Sequence, residues 1–148
     1  MKAASGSGVV SSLFTYRYAP WQEIDIEFKG RDTRKMQANI FYNRGPEGAA
    51  NNAAFEVPPF PEDVPLPYDA AEEFHVYGFE WEPGVIRWYV DGEQVLESRD
   101  ASRVPELAQQ LMMNIWITNR SWAGPLDASA LPAEAQYDWV RLSKRENT

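Results

Sequence analysis

The chain has 148 residues, no cysteine, a single histidine and a formal net charge of −8. That length suits one domain with a real core, and the composition excludes disulfides, thiolate metal sites and a multi-histidine metal centre. The acidic balance disfavours nucleic acid and anionic membrane surfaces but leaves neutral ligands such as sugars unaffected, and no apolar run approaches the ~20 residues of a membrane span.

The N-terminal MKAASGSG lacks the apolar stretch of a signal peptide. From there the dominant period is two, the period of strands. Gly8 to Tyr16, rich in Val, Phe and Tyr, reads as a strand. Glu23 to Phe28 alternates strictly between acid and apolar residue, and Met36 to Tyr42 is a third strand. Residues Glu56 to Tyr68 carry five prolines, at 58, 59, 61, 65 and 67. Proline cannot donate to a sheet ladder, so this run reads as a stiff loop. Phe74 to Trp81 and Val85 to Val90 are strands separated by the turn Glu82-Pro83-Gly84, and Asp91-Gly92 predicts a tight hairpin into Gln94–Glu97. Ala101 to Gln110 has room for one or two helical turns, interrupted by Pro105. Leu111 to Ile117 and Gln136 to Leu142 complete an all-β set, whose spacing predicts a β-sandwich. There is no internal repeat and no domain boundary.

The alternation at 23–28 carries the chemistry. In a strand, residues i, i+2 and i+4 share a face, so Glu23, Asp25 and Glu27 point one way and Ile24, Ile26 and Phe28 the other. A solvated acidic face is the ordinary explanation of such a pattern. The other is catalysis: retaining glycosidases place two carboxyls roughly 5–5.5 Å apart across the scissile bond. The Cα atoms of Glu23 and Glu27 lie about 13 Å apart in a strand, and leaning side chains close much of that gap. Asp25 between them can hydrogen-bond one glutamate and raise a neighbour's pKa by like-charge coupling. Six Trp, one of them Trp21 beside the acids, favour the catalytic explanation, because aromatic rings stack on sugars.

The segment WQEIDIEF, residues 21–28, resembles the catalytic signature of family 16 glycoside hydrolases, in the uninterrupted spacing of the bacterial lichenase (β-1,3-1,4-glucanase) branch. SGSGVVSSLFTY (5–16), KGRDTRKMQANIFYN (29–43), FHVYGFEWEPGVIRWYVDG (74–92), LMMNIW (111–116) and AQYDWVRL (135–142) are similar to further family segments in the same order. The resemblance implies a concanavalin A-like jelly-roll β-sandwich and a retaining endo-β-glucanase acting on polysaccharide. It implies Glu23 as nucleophile, Asp25 as assisting acid and Glu27 as general acid/base. Trp21, Asn39, Phe41, Asn114, Trp116 and Trp122 match or adjoin cleft positions that contact sugar rings. Asp138 matches a structural Ca²⁺ position of some members, and no cofactor is otherwise required. His75, outside the signature, is expected to be structural, and Trp88 and Trp139 are expected in the core.

Family members normally carry further strands before the segment matching residue 5, so residues 1–148 are expected to form a partial, N-terminally truncated catalytic domain that self-associates through exposed sheet edges. The family is usually secreted, which implies an extracellular location. Gln22 stands where lichenases often have an acid, and the proline-rich run and Thr118–Leu131 also depart from the pattern. The linkage cleaved therefore stays open, as do a transglycosylase using the same triad and a non-catalytic carbohydrate-binding sandwich.

Overall fold

The computed structural model describes residues 1–48, 55–56 and 60–144. Among the described residues, nine strands form two antiparallel sheets. The larger runs β4-β3-β2-β1-β9, with β5 also pairing β3; the smaller runs β6-β7-β8. The strands are β1 Val9–Arg17, β2 Gln22–Lys29, β3 Lys35–Tyr42, β4 Phe55–Glu56, β5 Glu62–Pro65, β6 Tyr77–Glu82, β7 Val85–Val90, β8 Glu93–Ser98 and β9 Gln110–Ile117.

The acid-bearing strand β2 lies at the centre of the larger sheet. Its apolar alternates Ile24, Ile26 and Phe28 are fully buried and join Met36, Ala38 and Ile40 of β3 against Tyr77, Ile86, Trp88 and Val90 of the smaller sheet. Each Ile, Val, Met or Phe among them contributes about 1.5–3 kcal/mol by leaving water. The Trp88 indole crosses between the sheets and donates to the Asp25 carbonyl at 3.1 Å, so it fills the core and satisfies its own polar atom. Burial of the apolar alternates fixes the register of β2, since a one-residue slip would push the acids into the core. At the β7–β8 hairpin, Asp91 (φ 50°) and Gly92 (φ 86°) both adopt the left-handed backbone that a two-residue hairpin turn requires.

Four expectations need correction. Gln136–Leu142 is not a strand: Gln136 makes one bridge to Lys2, and the residues after it have no strand pairing. Alternation predicts a strand only where a partner strand exists to receive it. Trp139 on that segment is accordingly 58% exposed and not in the core. Residues 100–104 form a turn, with Arg103 and Val104 donating to the Asp100 carbonyl, and no helix follows. The next amides, of Glu106 and Leu107, donate instead to the buried Gln22 side chain at 3.0 Å each. Finally, the proline-rich run is not all loop. Residues 57–59 lie outside the described part, but Glu62–Pro65 forms β5 on the outer edge of β3. Pro65 closes that edge strand, a place where a missing N–H costs little. Two further elements went unforeseen, the short strand β4 and a 3₁₀ turn at Ala128–Ala130 capped by Asp127.

Candidate active site

Alternation along β2 puts Glu23, Asp25 and Glu27 on the face away from the smaller sheet, and cross-strand pairing extends that face sideways. Glu23 sits between Tyr16 and Phe41, Asp25 between Phe14 and Asn39, and Glu27 between Ser12 and Gln37. One strand further, β9 places Met112 beside Phe14, Asn114 beside Ser12 and Trp116 beside Val10. Seven of the nine predicted catalytic and sugar-contacting residues therefore belong to one sheet face by register: Glu23, Asp25, Glu27, Asn39, Phe41, Asn114 and Trp116. Trp21 and Trp122 reach it from loops. The Trp21 ring stacks on Phe41 at 4.8 Å and 12°, and Trp122 meets Trp116 edge-on at 5.9 Å.

The acids are not a loosely solvated row. Glu23 and Glu27 are half-buried, but Asp25 is only 3% exposed. Burial, then the charges of Glu23 and Glu27, push the Asp25 pKa well above the usual aspartate range. Asp25 also hydrogen-bonds Glu23, and that bond favours a protonated Asp25. Glu23 is raised too, first by burial and further by the Glu47 charge. Opposing this are hydrogen bonds from Trp21 (Nε1 to Oε2, 2.6 Å) and Asp25. Burial and like charge thus favour the protonated form of Asp25 most strongly, and the hydrogen bond it shares with Glu23 holds the two carboxyls together. A carboxylate held by two donors, with further acids beside it on one open face, is equipped to attack an electrophilic carbon and pass protons.

The family model of glycosyl hydrolases family 16 matches residues 1–141. The chain belongs to that family. It is 40% identical to a beta-glucanase of Bacillus subtilis (strain 168), over 98% of this chain and 56% of that protein. A solved Bacillus licheniformis beta-glucanase superposes with a TM-score of 0.71 at 36% identity, covering 86% of this chain and 56% of that one. A Crh5 transglycosylase superposes with the same TM-score of 0.71 at 29% identity, over 89% and 55% of the two chains. The chain thus spans about half the length of the relatives it matches, and its sheets are those of a family 16 jelly roll.

Around the triad of this family 16 chain stand residues that the sequence did not single out. The Tyr16 hydroxyl donates to Glu47 at 2.5 Å beside Glu23, and burial followed by that bond raises the Tyr16 pKa. Phe14 and Tyr16 follow the period of β1, and knowing the β1–β2 register would have placed them. Gln37 flanks Glu27 and Asp63 lies one strand beyond it, but Asp63 reaches the face from a strand inside the proline-rich run. His75 stacks on Tyr68 at 3.4 Å and its Nδ1 lies 2.7 Å from Asp91, on residues outside the triad face. Asp138 is exposed and near the Met1 ammonium. No group of three or more His, Cys, Asp or Glu side chains able to hold a metal ion occurs among the described residues.

Proposed function

We propose that this chain carries the site of a retaining, endo-acting glycoside hydrolase that cleaves β-glucan-type polysaccharide, either β-1,3-1,4-glucan or a related exopolysaccharide. The reading rests on one observation above others: Asp25, buried and hydrogen-bonded to Glu23, lies between Glu23 and Glu27 on one strand face. The ionised Glu23 attacks the anomeric carbon while Glu27 gives its proton to the departing glycosidic oxygen, leaving a glycosyl ester on Glu23. Glu27, now a carboxylate, takes a proton from water as that water attacks the same carbon and expels Glu23. The hydrogen bonds from Asp25 and Trp21 aim the nucleophile and stabilise it again as it leaves. Trp21 stacked on Phe41 and Trp116 against Trp122 supply aromatic walls for sugar rings, and Asn39 and Asn114 supply amides for hydroxyls.

Glu23→Gln and Glu27→Gln are each expected to lower kcat by ~10²–10⁴-fold or more while retaining binding to immobilised glucan. Near-wild-type release of reducing ends by either variant would show that the roles are misassigned. The Crh5 neighbour favours a second reading, in which a sugar hydroxyl replaces water in the second step. Product analysis with an added oligosaccharide acceptor separates the two, since elongated products appear only under transglycosylation. Retention on glucan with no reducing ends released at any protein concentration would instead mark a binding sandwich.

A further inference from the structure

Lys29 ends β2 and shares, by alternation, the face of the three acids. It is 6% exposed, so its ammonium has lost most of its water and requires a partner. The partner is Asp63 of β5, whose two carboxylate oxygens lie 2.8 and 2.9 Å from Nζ. Gln37, the cross-strand neighbour of Glu27, donates its amide to the same carboxylate at 3.0 Å. Lys29 Nζ also stands 5.9 Å from the centre of the Trp122 ring, within reach of a cation–π attraction.

The backbone that carries Trp122 is held independently. Gly8 donates to the Ala123 carbonyl at 3.0 Å, Asp127 to that of Ser7 at 3.0 Å, and Arg31 to that of Ser121 at 3.2 Å. Gly8 has φ 77°, and a Cβ there would come within 2.5 Å of Leu126 Cα, so only glycine lets the segment close. These bonds fix the main chain but not the indole. The indole meets the Lys29 ammonium and, edge-on, the Trp116 ring.

We propose that Lys29 is a positioning residue: clamped by Asp63, its ammonium sets the Trp122 indole against which a sugar ring stacks at the Glu27 end of the face. It governs substrate binding and not bond cleavage. The inference rests on the carbohydrate-site reading above and adds a specificity element to it. An ion pair linking the outer strand β5 to a loop tryptophan also means that β5 reaches the substrate through Lys29.

The test uses Lys29→Met, which keeps the bulk of the stem and removes the charge. The double variant Lys29→Met/Asp63→Asn removes both charges and leaves no orphaned ion. Near-ultraviolet circular dichroism reads the perpendicular Trp116–Trp122 pair without substrate, and both variants are expected to lose the part of that signal that Trp122→Phe loses. On β-1,3-1,4-glucan, KM is expected to rise about 5–20-fold with kcat within about twofold, and adding Trp122→Ala is expected to cause no further loss, since the two residues act as one unit. An unchanged dichroism signal in a folded variant, strictly additive losses, or a fall in kcat at constant KM would overturn the proposal. A wild-type chain that neither binds nor cleaves glucan overturns the substrate reading alone; the dichroism of Lys29→Met still decides whether the ammonium sets the indole.

Discussion

Asp25 has two carboxylate neighbours on its own strand face and almost no water to screen them. A buried acid with a raised pKa makes stability fall as pH rises. Above the ordinary aspartate range the unfolded chain releases the proton while the folded chain keeps it, so the limiting slope is about −1.4 kcal/mol per pH unit until the raised pKa is reached. Asp25→Asn keeps the shape and discards the ionisation. Its unfolding free energy is expected to be flatter with pH between about 4 and 7 than that of the wild type, as measured by urea titration at several pH values. The same variant is expected to lose activity, because an amide is not an equivalent donor for Glu23. A wild type and variant with parallel pH profiles would mean that Asp25 is ionised like an exposed aspartate.

Among the elements, β2 is the one most legible in the sequence. Strict alternation assigned its two faces, and the core confirms the apolar one at Ile24, Ile26 and Phe28. The Asp91-Gly92 hairpin was legible for a local reason, since few residues tolerate its backbone. What alternation cannot supply is a partner. Val85–Val90 found strands on both sides, and Gln136–Leu142, equally alternating, found one bridge. The Lys29–Asp63 pair was illegible for a related reason: its members are 34 positions apart, and the strand that joins them ends in a proline. Two substitutions separate core from surface. Ile26→Ala is expected to cost about 2–5 kcal/mol by leaving a cavity between the sheets. Trp139→Ala is expected to change stability by no more than about 0.5 kcal/mol, as at an exposed site, whereas a loss of several kcal/mol in chemical denaturation would restore Trp139 to the core.

At the scale of the whole molecule, the smaller sheet covers β2 and β3 but not the far end of the larger sheet. Alternation places Met113, Ile115 and Ile117 of β9 on the core-side face, and all three are exposed. A groove of about 940 Å³ opens there between Leu13 and Leu111 on one side, the edge strand β6 on another and residues 139–144 on a third. Apolar surface beside the open edges of β6 and β9 invites pairing with another chain. Sedimentation is expected to show association that grows with concentration and weakens when Ile115→Lys charges the face. A sharp monomer at all concentrations would remove this expectation without touching the acid-bearing face, which lies on the opposite side of the larger sheet.

On that face, a covalent trap identifies the nucleophile. A 2-deoxy-2-fluoro glucan oligosaccharide with an activated leaving group slows turnover of the glycosyl ester, and peptide mass mapping then locates the label. One sugar adduct per chain is expected on the tryptic peptide Tyr18–Lys29, assigned by fragmentation to Glu23 and absent from Glu23→Gln. An adduct on Asp25 or Glu27, or on any residue outside that peptide, would contradict it.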